Sequence, residues 1–92
     1  MRPRKPYELG SALKRKGFRP KEADHTWYEL YVDGKRTDIR TKISHTRKEY
    51  DQHLLGKMAG QLHLRIDEFE LLIKCPISAE DYVSMLRAKQ RL

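Results

Sequence analysis

Apolar and polar positions alternate along this chain with a period that changes twice. Pro6 can open a helix running to about Lys16, in which Leu9 and Leu13 share one face and Gly17 is the stop. Lys14, Arg15 and Lys16 then place positive charge on the last turn, where it suits the helix dipole. From Phe18 to Ser44 the period falls to two, aromatic and β-branched residues become frequent, and Asp33-Gly34 forms a two-residue hairpin signal. Strands are expected at about 18–22, 26–32 and 35–43. A turn at Asp33-Gly34 sets Tyr31 opposite Arg36, Glu29 opposite Asp38, Trp27 opposite Arg40 and His25 opposite Lys42. Tyr28, Leu30 and Val32 then share the core face with Ile39, Thr37 and Lys35. The other face is basic and aromatic, and in this register it sets two like charges, Glu29 and Asp38, against each other.

Beyond Ser44 the helical period returns. Thr46-Arg47-Lys48-Glu49 reads as a capping box, followed by Tyr50, Leu54, Met58 and Leu62 at helical spacing. Gly56 and Gly60 fall inside that helix although each costs about 1 kcal/mol relative to alanine, which points to close packing against the sheet. A short helix around 67–74 offers Phe69, Leu72 and Ile73 as its buried face, and Cys75-Pro76 reads as its buried end. Ser78 then caps a last helix that turns Tyr82, Met85 and Leu86 inward. The order predicts an α+β fold: a helix, a three-stranded antiparallel sheet and a helix, then two short C-terminal helices. Helices cover one sheet face and leave the other open.

Ninety-two residues make one domain, 1–92, with room for a single modest core. The net charge of +7 is unevenly placed. Residues 1–65 carry 16 basic and 8 acidic side chains, whereas residues 66–92 carry 4 and 5. A field of that sign concentrates polyanions and speeds encounter with phosphate backbones, so RNA is the expected partner. A lone cysteine, Cys75, forms no internal disulfide and no metal cluster, and a reducing cytoplasm is the expected compartment. No apolar run approaches the roughly 20 residues of a membrane span, and no membrane partner is expected.

The open face carries the candidate chemistry. Imidazole can exchange a proton near neutral pH, so His25 can act as a general base, deprotonating an RNA 2′-hydroxyl that attacks its own phosphodiester. Lys42 opposite and Arg40 diagonal to it are expected to stabilise the charged phosphorane. Trp27 and Tyr31 offer rings for base stacking, with Arg36 beside them. His45, placed before a helix, can meet phosphate there or merely cap the helix. The four histidines lack the paired spacing of a zinc site, the acids are too scattered for a metal nuclease, and no cofactor motif occurs. An RNA-binding module without catalysis, using the same face, and a protein-interaction domain with an acidic partner remain as alternatives.

Lys16-Gly17-Phe18 at the helix end, His25-Thr26-Trp27 in a strand, Asp33-Gly34-Lys35-Arg36 at the hairpin, and His45 before Lys48-Glu49 resemble the HicA toxin family. The resemblance covers residues 6–64, with 65–92 as a C-terminal helical extension. It implies a fold similar to the double-stranded RNA-binding domain, and a metal-independent mRNA endoribonuclease of a type II toxin–antitoxin system. It also implies a HicB-like antitoxin protein as partner. By the resemblance His25 matches the catalytic histidine, and His45 and Lys48 match residues at the start of the second long helix. The chain departs from the pattern before His25, where Glu22-Ala23-Asp24 replaces the family's usual Gly-Ser.

Overall fold

The first helix, α1 (Pro6–Arg15), buries Leu9, Ala12 and Leu13, the stripe its spacing predicts. Its first turn is closed by Glu8, whose carboxylate accepts from the Lys5 amide at 3.3 Å. The chain turns at Gly17, whose φ of 97° is reached without strain only by glycine. Lys16 does not sit in solvent with its neighbours. It is buried, and its ammonium donates to the Ile77 carbonyl, tying the end of α1 to the chain's last third. In this computed structural model, which describes residues Met1–Leu92, the remaining elements are β1 (Phe18–Glu22), β2 (Thr26–Val32), β3 (Lys35–Ile43), α2 (Gln52–Gln61), α3 (Ile66–Lys74) and α4 (Ala79–Ala88).

The strands form an antiparallel sheet in the order β1-β2-β3. The hairpin closes as expected, with Val32 opposite Lys35 and Tyr31 opposite Arg36. Beyond it the register differs from the expected one. A bulge in β3 moves every later pairing two residues along that strand, so that Glu29 faces Arg40, Tyr28 faces Thr41 and Trp27 faces Lys42. Thr37 holds the bulge: its hydroxyl donates to the Leu30 carbonyl at 2.9 Å and accepts from the Ile39 amide at 3.2 Å, standing in for a missing rung of the ladder. A shift of two preserves which side chains share a face. It replaces the expected Glu29–Asp38 repulsion by an ion pair between Glu29 and Arg36 at 3.7 Å.

The inner sheet face, built on Phe18, Tyr28, Leu30, Ile39 and Ile43, meets α1 and α2, and α3 packs against both helices. Tyr82 of α4 stacks on Phe18 at 5.9 Å between ring centres and donates to the Leu62 carbonyl at 2.8 Å. Burial raises the Tyr82 phenol above its ordinary range and favours the protonated donor form. One continuous cluster of 19 buried apolar residues draws on every helix and strand, so the C-terminal helices complete the same core rather than forming a separate unit.

The segment 46–49 is a turn and bend rather than a capping box, and α2 begins at Gln52 with Asp51 as its cap, accepting from the Leu54 amide at 2.9 Å. Tyr50 lies outside that helix because its backbone pairs with Arg4 in an isolated bridge. Cys75 is exposed and ends α3 in the left-handed region at φ 87°. The glycines of α2 serve no close approach either: a Cβ at Gly56 or Gly60 would meet nothing within 4 Å. Gly60→Ala is therefore expected to stabilise the fold by about 0.5–1 kcal/mol. A urea titration measures this, and a lower midpoint would contradict it.

Candidate functional site

The sheet's outer face follows from strand alternation. It carries Arg19 and Lys21 of β1, Trp27, Glu29 and Tyr31 of β2, and Arg36, Asp38, Arg40 and Lys42 of β3. Tyr82 and Phe69 place the C-terminal helices in the inner layer, so this face stays uncovered. Its aromatic rings are nonetheless not bare. The Arg40 guanidinium lies 4.3 Å from the centre of the Trp27 ring, and that of Arg19 lies 4.1 Å from Tyr31. Glu29, although on the outer face, is only 4% exposed beneath these arginines.

His25 precedes β2 in the tight loop that joins it to β1, where the Ala23 amide donates to the His25 carbonyl at 3.1 Å. No residue from Glu22 to Thr26 has a positive φ, so this loop closes without the glycine that the resemblance leads one to expect. The imidazole is exposed and lines a groove of about 490 Å³ between the end of β3 and α2. Lys42, Arg47 and Lys57 bring positive charge to the same groove, over a floor of Tyr50, Leu54 and Met58. Gln61 also lines it, its side-chain carbonyl accepting from the buried Thr41 hydroxyl at 2.6 Å. On its other side His25 borders a smaller hollow of about 190 Å³, shared with Glu22, Asp24 and His45. Asp24 lines that hollow and not the basic groove.

The expected site residues thus separate into groups. His25 and Lys42 come together in the groove. Arg40 does not join them, because the bulge places it opposite Glu29 and over Trp27. Trp27, Tyr31 and Arg36 stand on the outer face with it. His45 heads no helix; its Nε2 lies 3.0 Å from the Tyr28 hydroxyl, and burial, with a smaller effect of the Glu22 charge, raises that phenol and keeps it protonated. Lys48 is exposed in the bend after β3 and lines no cavity. Arg47 and Lys57 were not anticipated. A signal for Lys57 existed: Leu54, Lys57, Met58 and Gln61 recur at three- and four-residue steps, the spacing of one helix face.

No three His, Cys, Asp or Glu side chains gather where they could hold a metal ion, and no helix is long and apolar enough to cross a membrane. No protein-family model, curated protein or solved structure matches the chain. Chemically, the groove offers one proton acceptor beside three cations, a set suited to moving negative charge about a phosphodiester.

Proposed function

We propose that this chain is an RNA endonuclease of the HicA type that cleaves without a metal, with His25 as general base. The observation that carries the reading is one imidazole lining a groove whose cationic lining is Lys42, Arg47 and Lys57. His25 takes the proton of an RNA 2′-hydroxyl. The 2′ oxygen then bonds to the adjacent phosphorus, and the bond to the 5′ oxygen breaks. The cations stabilise the doubly charged phosphorane, and solvent, which reaches the exposed imidazole, protonates the leaving oxygen. The products are a 2′,3′-cyclic phosphate and a 5′-hydroxyl. The sequence resemblance supports the same reading through His25. It is weaker at Lys48, whose place near the phosphate is taken by Arg47 and Lys57. An antitoxin protein of the HicB type, covering the groove, belongs to this proposal.

The test is incubation of the purified chain with RNA in EDTA, followed by analysis of the new ends. Cyclic phosphate ends are the expected result. Ends bearing a 5′-phosphate would contradict the mechanism. A second reading, an RNA-binding module without catalysis, is favoured by one separate observation: the outer face carries arginine-covered aromatic rings that do not line the His25 groove. Tight RNA binding with no cleavage by the wild-type chain would select it.

A further inference from the structure

The outer sheet face carries two similar constructions, Arg40 on Trp27 and Arg19 on Tyr31. Each guanidinium carbon lies over a ring and both arginines are exposed, so a nucleobase can stack on the guanidinium from the solvent side. Trp27 and Tyr31 stand on one face of a continuous strand, four residues apart. At about 3.3 Å per residue the two stacks are separated by roughly 13 Å. Neighbouring bases stacked in a strand are only about 3.4 Å apart, so successive stacked bases cannot occupy both positions. Between them lies the buried Glu29 carboxylate, paired to Arg36. A phosphate backbone crossing the middle of the face would pass over that acid, whose negative charge opposes it.

Building on the RNA reading above, we infer that this face binds single-stranded RNA with its bases splayed onto the two guanidinium–aromatic stacks. The phosphates run along the exposed Lys21 and Lys42 flanks, and the strand leads into the His25 groove, since Trp27 and His25 are near neighbours on the chain. A duplex presents phosphates, 2′-hydroxyls and base edges but keeps its base faces stacked inside, so it cannot use these positions. Arg19 is the residue that separates this arrangement from simple charge attraction. It lies on the edge strand, away from the groove.

The experiment uses the full chain bearing His25→Ala, to prevent cleavage, and fluorescence anisotropy. Its probes are a labelled single-stranded RNA of about nine nucleotides, a length within the usual site sizes for such faces, and the same sequence as a duplex. The single strand should bind at least about ten-fold more tightly. Arg19→Lys keeps the charge but not the planar stack, and should weaken single-strand binding about five- to ten-fold while circular dichroism stays unchanged. Arg19→Lys binding as well as its parent, or duplex binding as tightly as the single strand, would overturn the inference. If that happens while the wild-type chain still cleaves through His25, the nuclease reading stands without it. Binding of neither RNA form would sink both. Displacement of RNA by poly-glutamate at equal charge would count against it and in favour of an acidic protein partner.

Discussion

His25→Ala is expected to lower RNA cleavage in EDTA by about 10²–10⁴-fold, the usual contribution of a positioned general base. RNA affinity should change little, because the groove keeps Lys42, Arg47 and Lys57 and the outer face keeps its arginines. His25 is exposed, and truncation at such a site moves stability by no more than about 0.5 kcal/mol. Loss of activity therefore cannot be assigned to unfolding. The companion variant Lys57→Ala should act differently. It removes one cation, so binding weakens and the salt dependence of log K loses a slope of about 0.7 to 0.9. Equal cleavage rates in wild type and His25→Ala, with cyclic phosphate ends in both, would remove the histidine from the mechanism.

The contrast between the two variants explains what the sequence can and cannot reveal about this site. A histidine at the head of a strand is visible from local pattern alone, because strand periodicity and the hairpin at Asp33-Gly34 place it at one end of β2. Arg47 and Lys57 are visible only once a strand end and a helix are brought together, which is a tertiary event. The error at Lys48 has a similar origin. Thr46 to Glu49 match a capping box, but the buried Tyr50 is drawn into a bridge with Arg4, and its hydroxyl accepts from the Ser44 amide at 2.8 Å. Those contacts hold the segment out of helix until Asp51 supplies a cap. Local capping propensity lost to a long-range pairing that pattern reading does not see.

The sheet shows the same division. Strand limits and the sorting of side chains between faces follow from alternation, and a bulge that shifts pairing by two residues leaves them intact. The pairs themselves are a different matter. Glu29 opposite Asp38 was the one sign of trouble in the expected register, and the bulge at Thr37 removes it. Likewise Gly56 and Gly60 resemble packing glycines in the sequence but touch nothing, while Gly10, which attracts no notice there, is the tightest glycine in the fold.

Gly10→Ala is expected to destabilise the protein by about 1–3 kcal/mol, the cost of overpacking a filled core. A Cβ on Gly10 would lie 2.4 Å from the Tyr28 hydroxyl oxygen and 3.0 Å from the ring carbon that bears it. The phenol is the far end of its side chain, but the chain is a rigid ring, 3% exposed, rooted in the central strand and bonded at its tip to His45. It has little room to yield. For a chain of this length each kcal/mol corresponds to roughly 4–8 °C in Tm, so thermal unfolding reads the effect directly. Tyr28→Phe alone should cost about 1 kcal/mol through the lost hydrogen bond. Combined with Gly10→Ala it removes the worst of the clash, so the double variant should be less destabilised than the two single effects added together, by about 0.5–3 kcal/mol. Strict additivity would show that the clash is relieved elsewhere. The same cycle reaches the site, because the Tyr28–His45 bond holds the 44–46 segment that borders His25 on both of its sides. Both single variants release that segment, one by displacing the phenol and the other by removing its hydroxyl. RNA cleavage should therefore fall in both and stay low in the double variant even as its stability recovers, which separates the hydroxyl's part in packing from its part in positioning the loop.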